Sequence, residues 1–253
     1  MKTTPKRLIS LNPKSSGRNS SGKITVRHQG GREKRFLRHI DWKRSSDVSA
    51  RVDSIQYDPN RTADIALLVY ANGNKDYILA PHSLKVGDTV VSSTTAEIKI
   101  GNCLPLRNIP VGIEIHNLEI TPGKGAQMVR SAGNSALIQS KEGNIVTVKL
   151  PSGEIRLFKA DCRATIGNLS NPHHKEEQIG KAGTARHMGR RPTVRGVAQD
   201  PRSHPHGGGE GRSGVGMKSP KSPWGKRTMG KRTRNRKSYS NKLIIKRRTS
   251  KNK

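Results

Sequence analysis

A chain of 253 residues with 49 Lys and Arg against 18 Asp and Glu, a formal net charge of +31, is suited to a polyanionic partner. No apolar run approaches the ~18 residues of a membrane span. Cys103 and Cys162 stand far apart without a C-x-x-C pattern, which argues against a disulfide framework or a zinc knuckle. Both cysteines are expected to be small buried residues in a reducing compartment.

The charge is unevenly spread. Residues 1–44 carry 13 basic and 2 acidic side chains, residues 45–180 carry 14 of each, and residues 181–253 carry 22 and 2. The neutral middle holds most of the Val, Ile and Leu and can bury an aliphatic core. The two basic flanks repel themselves in free solution and are expected to order only on a polyanion.

Residues 1–44 read as a basic N-terminal arm. The opening has no apolar h-region, so it is not a secretory signal. Its Lys/Arg/Ser-rich, acid-poor composition imitates an organelle transit peptide, but Pro5, Pro13, Gly17 and Gly22 interrupt any amphipathic helix. Ile24 to His28 alternate as a strand does. From Gly30 to Arg44, clustered cations are interleaved with Phe36, His39 and Trp42, a pattern suited to phosphate neutralisation and stacking on bases or sugars. Phe36, Leu37, Ile40 and Trp42 equally suit anchoring of the arm to the first domain. The candidate RNA-binding residues here are Arg18, Arg27, Arg32, Lys34, Arg35, Arg38, Lys43 and Arg44.

From Asp47 the pattern becomes β. Strand-like runs at 48–57, 64–71 and 76–80 are separated by Asp58-Pro59-Asn60 and by the hairpin signal Asn72-Gly73-Asn74. Another strand is expected at 87–93, and 104–120 reads as a proline-punctuated loop leading into a strand. Residues 45–120 are therefore expected to form an OB-fold barrel. After Thr121 to Gln127, short strands with tight turns between Ser135 and Gly167 make a meander, and residues 121–195 are expected to form an SH3-like barrel. The predicted class is all-β, flanked by extended basic arms.

Residues 196–253 read as a basic, Gly/Pro-rich C-terminal extension. Its centre is HPHGGGEGR, His204 to Arg212. Three successive glycines cannot sustain a helix or strand, which suggests a backbone able to approach another surface closely. Arg190, Arg191, Arg195, His204, His206, Gly207, Gly208, Gly209, Arg212, Trp224, Lys226, Lys231 and Arg232 are the candidate RNA contacts. Trp224, a lone ring in a basic coil, suits stacking on a base. Gly209 to Gly214 match G-x-G-x-x-G formally, but the strand before and helix after that a dinucleotide site needs are not predicted. The histidines lack a rigid scaffold and a third ligand at metal spacing. No Ser or Cys sits in a strained elbow. No catalytic residue, metal or cofactor is assigned.

Several stretches together carry a resemblance: GRNSSGKITVRHQGG (Gly17 to Gly31), QYDPNRTADIAL (Gln56 to Leu67), YILAP (Tyr77 to Pro81), GNCLPLRNIPVG (Gly101 to Gly112), HNLEITPGKGAQ (His116 to Gln127), RSAG (Arg130 to Gly133), RPTVRG (Arg191 to Gly196), HPHGGGEGR and PWGK (Pro223 to Lys226). In this order they resemble the ribosomal protein L2 family of the large subunit, over almost the whole chain and on the bacterial and organellar side of it. The resemblance implies an OB-fold followed by an SH3-like barrel, with arms that penetrate ribosomal RNA. It also implies a place near the peptidyl transferase centre, a role in building that centre, and a part in joining the two subunits. The partners so implied are large-subunit rRNA, neighbouring ribosomal proteins and the small subunit, with no membrane. The location is the cytoplasm or an organelle, within the large subunit. His204 corresponds to a family histidine held to matter for peptidyl transfer. Departures from the family pattern fall at Gln199-Asp200, Arg202-Ser203, His187 and Gly30 to Glu33.

The charge alone also permits a DNA-binding or chromatin protein, and the histidines a hydrolase. Against both, the leading expectation is a structural rRNA-binding protein without enzymatic activity. RNA affinity should then fall steeply with salt, with a logarithmic slope of roughly −0.7 to −0.9 per neutralised phosphate. Deleting residues 226–253 should flatten that slope in salt-titrated binding, whereas an unchanged slope would mark the terminal run as merely solvated.

Overall fold

A computed structural model describes residues 5–248. The described chain forms two compact units, one of residues 5–13, 35–178 and 239–248, the other of residues 14–34 and 179–238.

The first unit holds nearly all the regular structure. Strand β1 (Ile9–Asn12) pairs antiparallel with β2 (Arg35–Arg38), Leu11 opposite Phe36. Leu8, just before β1, is buried, and the amide of Asp41 donates to the carbonyl of Tyr77. Ile40 and Trp42 pack against the same core cluster as Leu8. Residues 5–13 and 35–44 thus lie on the first sheet, because these few apolar side chains give them something to bury.

That sheet is antiparallel. It contains β3 (Ala50–Gln56), β4 (Ile65–Tyr70), β5 (Lys75–Leu79) and β6 (Thr89–Val90), in the order β5-β4-β3-β6. Strand β4, IALLVY, is central and covered on both faces. Ala66, Leu68 and Tyr70 join Ala50, Val52 and Ile78 on one side. Ile65 and Leu67 join Leu8, Tyr77 and Leu79 on the other. A strand with two buried faces reads as a continuous apolar run for this reason. The expected hairpin forms between β4 and β5 at Asn72-Gly73-Asn74.

The second sheet draws on β7 (Cys103–Pro105), β8 (Glu114–His116), β11 (Ala136–Glu142), β12 (Ile145–Lys149), β13 (Ile155–Lys159), β14 (Arg163–Ile166) and β15 (Ile244–Lys246). Their order is β15-β13-β12-β11-β8-β14-β7. A short pair, β9 (Leu118–Glu119) with β10 (Ala126–Met128), adjoins it. Leu104, Ile109, Ile115, Ile138, Val148 and Phe158 lie in its aliphatic core. The two curled all-β bodies fit an OB-type sheet followed by an SH3-like barrel. Strands β7 and β8 lie upstream of residue 120, so the second sheet begins earlier than the sequence reading drew it. Local alternation does not reveal which sheet a strand joins; the register Thr165 opposite Cys103 and His116 does.

Two further differences have physical causes. Ile24 to His28 alternate but form no strand: the amides of Thr25 and Val26 both donate to the carbonyl of Gly17, and Ile24 and Val26 stay exposed. In the C-terminal charge run, Ile244 stands opposite Arg156 as β15 caps the edge of β13. Truncation at 226 therefore removes an edge strand along with charge, and Lys/Arg→Gln substitutions within 226–237 isolate the charge.

Buried polar groups join the two sheets. Arg44 takes a left-handed backbone (φ 47°), held by Asp41, whose Oδ1 accepts the amides of Lys43 (3.0 Å) and Arg44 (2.9 Å). The Arg44 guanidinium donates to the carbonyl of Gly101 at 2.8 Å, and the Arg44 carbonyl accepts from Arg163 Nη1 at 2.6 Å and from the Ser92 hydroxyl. Glu119, 1% exposed, accepts the amides of Gly125 (2.9 Å) and Arg163 (3.0 Å). The ring of Trp42 lies under the guanidinium groups of Arg130 (4.5 Å) and Arg61 (5.4 Å). Cys103 and Cys162 are free and buried, and burial, helped by the Glu119 carboxylate, pushes the Cys162 thiol up to about 11.

His116 lies inside the same joint. Its Nδ1–H donates to the carbonyl of Gly167 at 2.7 Å, leaving Nε2 buried with no hydrogen-bond partner. Burial, reinforced by the Arg44 charge, lowers its pKa from 6.5 to about 4. The unfolded chain therefore takes up a proton that the folded chain refuses between those values, and stability should fall as pH drops from 6.5 to 4. The loss amounts to roughly 3 kcal/mol if the group acts alone. His116→Asn keeps a donor at the Nδ1 position and does not titrate. Denaturant unfolding of the variant across pH 4–7 should lack this component, and an unchanged pH profile would assign it to other groups.

Candidate nucleic-acid interface

The second unit contains 22 basic side chains and 3 acidic ones. Its regular structure is sparse: α1 (Ala182–His187), a 3-10 turn at Gly196–Ala198 and isolated bridges such as Gln29 with Arg190. Among its described residues only Gly17 and His204 are buried. None of the three apolar clusters draws on it.

His204 organises the loop around it. The amide of His204 donates to the carbonyl of Asp200 (3.1 Å), and the amide of Gly207 donates to the carbonyl of His204 (2.9 Å). Ring nitrogen Nδ1 of His204 accepts the amide of His206 at 3.1 Å. Gly196 lies flat against the ring: a Cβ there would come within 2.6 Å of it. His206 Nε2 in turn accepts the amide of Lys221 at 2.8 Å, and the two rings are 4.7 Å apart. A nitrogen that accepts an amide carries no proton, so His204 bears its proton on Nε2 and His206 on Nδ1.

The glycines are required by the protein's own backbone. A Cβ at Gly207 would lie 2.4 Å from the carbonyl oxygen of Gln199 and 2.5 Å from that of Asp200, and one at Gly208 would lie 2.7 Å from Pro201. The close approach read from the sequence is thus made to residues 199–201 of the same chain.

Beyond His206, residues 220–228 form a narrow hairpin. Lys221 pairs with Arg227, the amide of Ser222 donates to the carbonyl of Lys226 (2.8 Å), and Thr228 returns to Pro220 (3.0 Å). Trp224 sits at its tip, 74% exposed, flanked by Lys226. The ring packs on no core, which leaves it available for stacking.

The other predicted contacts divide. Arg18, Arg27, Lys34, Arg190, Arg191, Arg195, Arg212, Lys226, Lys231 and Arg232 are exposed in this unit, and Arg32 is half-buried. Arg35, Arg38, Lys43 and Arg44 belong to the first unit. There Lys43 is exposed, while Arg35 donates to the carbonyl of Pro59 (2.9 Å) and Arg38 lies 3.5 Å from the fully buried Asp58, which Arg61 also pairs at 2.7 Å. Arg44 is 4% exposed and serves the joint between sheets, so its charge is not presented at the surface. The aromatic run divides likewise: Trp42 is a packing residue, whereas Phe36 and Leu37 are exposed. Two departures from the family pattern meet: His187 Nδ1 lies 2.5 Å from Glu33 Oε1. Sequence reading missed the roles of Arg61, Arg130 and Arg163, because each acts on a partner distant in the chain.

Residues 5–92 match the family model described as Ribosomal Proteins L2, RNA binding N-terminal domain, and residues 99–225 match Ribosomal Proteins L2, C-terminal domain. The chain belongs to the ribosomal protein L2 family. It is a structural, RNA-binding member of the large ribosomal subunit and not an enzyme of the ordinary kind. For an L2 protein, a cation-rich unit without an apolar core is intelligible as a surface completed by RNA. With so little burial, backbone ordering at about 1–2 kcal/mol per residue is not offset from within. Amides of 14–34 and 179–238 should exchange rapidly in the free protein and gain protection on a large-subunit RNA fragment, while β3–β5 and β11–β14 stay protected in both states. Equal protection of the cationic unit with and without RNA would contradict this.

Proposed function

We propose that this chain shapes large-subunit rRNA by two means, supports assembly of the peptidyl transferase centre, and contributes to association with the small subunit beside neighbouring ribosomal proteins. The β-sheet unit acts as a rigid body. The cationic unit supplies phosphate contacts through its exposed arginines and lysines, and Trp224 stacks on an exposed base at the tip of its hairpin. The observation that carries the reading is the pairing of 22 basic side chains with a unit in which His204 is the one buried side chain of any size. Such a segment folds usefully only against a polyanion.

Within this reading His204 is a structural contact. A general base needs a free nitrogen lone pair within hydrogen-bond reach of the proton that it removes. The Nδ1 lone pair is engaged by the amide of His206, and Nε2 carries the proton, which makes the ring a donor. His204→Asn places an acceptor at the Nδ1 position and cannot shuttle a proton, whereas His204→Ala leaves the His206 amide unsatisfied. Subunits assembled with His204→Asn should keep peptidyl transfer within a fewfold of wild type, and those with His204→Ala should show altered RNA footprints around the centre. Fully assembled His204→Asn subunits with a wild-type footprint and no peptidyl transfer would overturn the structural assignment.

A further inference from the structure

Two clefts open in the second unit, of about 490 and 470 Å³, meeting at a shared wall formed by Ser16 and Arg27 to Gly30. In the first, Arg18, Arg27 and Arg191 surround the side chains of Ile24 and Val26, which are 58% and 50% exposed. In the second, Lys14, Arg27, Arg32 and Arg190 surround Met188. No Asp or Glu lines either cleft. Each therefore combines an apolar face with a cationic rim, at the size of clefts that take small organic groups, about 300–1,000 Å³.

The walls are held in place by the backbone. The carbonyl of Gly17 accepts the amides of Thr25 (2.9 Å) and Val26 (3.1 Å), and Arg18 bridges to Ile24, which fixes the aliphatic face. A side chain at Gly17 would strike the carbonyl of Val26 at 2.1 Å, so only glycine allows this loop to close. The shared wall is tied down by Gly30 donating to Gly189 (3.0 Å) and Arg191 donating to His28 (3.1 Å).

We propose that the cleft floored by Ile24 and Val26 seats one unstacked nucleotide of RNA, with the flanking phosphates led over Arg27 into the second cleft. The proposal rests on the RNA-binding reading above and goes beyond it in naming what is bound. A paired helix turns its phosphates outward on a convex surface and keeps its bases inside, so it cannot fill a concave site with an apolar floor. An extruded nucleotide lays the face of its base on the aliphatic wall and its phosphate against the guanidinium rim. The carboxylates of an acidic peptide satisfy the rim, but Asp and Glu themselves bring no flat apolar body for the floor, whereas a single nucleotide joins both features in one unit.

The full-length protein is titrated with two RNA hairpins of equal nucleotide count, one fully paired in its stem and one with a single bulged nucleotide, each of the four bases tried in turn and 2-aminopurine used as the fluorescent bulge. The best bulged hairpin should bind about tenfold more tightly than the paired one, and 2-aminopurine emission should change on binding. The double variant Ile24→Ala, Val26→Ala removes two exposed side chains and leaves the cores intact. It should lose the bulge preference while keeping wild-type affinity and salt slope for the paired hairpin. Equal binding of both hairpins by the wild type overturns the nucleotide seat alone, as does a preference that survives in the double variant and disappears in Trp224→Ala. Binding to neither hairpin overturns the RNA-binding reading and the seat with it.

Discussion

Like-charge repulsion without a compensating core is the constraint from which the cationic unit follows. Its 22 basic and 3 acidic side chains lie in a chain that buries almost nothing. Burial of apolar area, the dominant favourable contribution in folding, is missing there. Hydrogen bonds between backbone groups and two imidazoles hold its local geometry, and each is worth only about 1 kcal/mol net. A polyanion changes both sides of the balance: it removes the repulsion and releases its own counterions.

The β-sheet unit answers to the opposite physics. Its three aliphatic clusters need no partner, and its two sheets are joined by Leu169, which packs into the first sheet's core, by backbone hydrogen bonds such as Ser170 to Ala80, and by the buried Arg44. Arg44 donates to Gly101 and accepts from Arg163 and Ser92 through its carbonyl, while Glu119 accepts from both Gly125 and Arg163. A buried arginine and a buried glutamate disfavour arrangements that strip them of these partners, since an uncompensated charge in a poorly polarisable interior is costly. His116, with one nitrogen bonded and the other orphaned, sits in the same region and ties its integrity to neutrality of the ring.

The histidine pair shows how a polar residue can replace an apolar core on a small scale. His204 accepts from His206, His206 accepts from Lys221, and together they connect the loop around Asp200 to the hairpin that carries Trp224. Gly196, Gly207 and Gly208 are the counterpart, since each occupies a place where a side chain would collide with the imidazole or with residues 199–201. The run of glycines is therefore a packing feature of this loop.

The sequence by itself determined the family, the all-β class, the division into neutral and basic stretches, and most strands. These are local properties: alternation in β11–β14, the apolar run of β4, the Asn-Gly turn after Tyr70, and ordered motifs along the chain. Only the tertiary structure decided that Arg44 is buried at the joint, that Ile24 and Val26 wall a cleft and form no strand, and that Ile244 adds an edge to β13. In each of these the outcome depends on a partner distant in the chain: Gly101 for Arg44, Arg191 for the cleft, Arg156 for Ile244. A cation in a basic stretch looks the same in sequence whether it meets phosphate or a carbonyl, because the distinction lies in what folding brings within three ångströms of it.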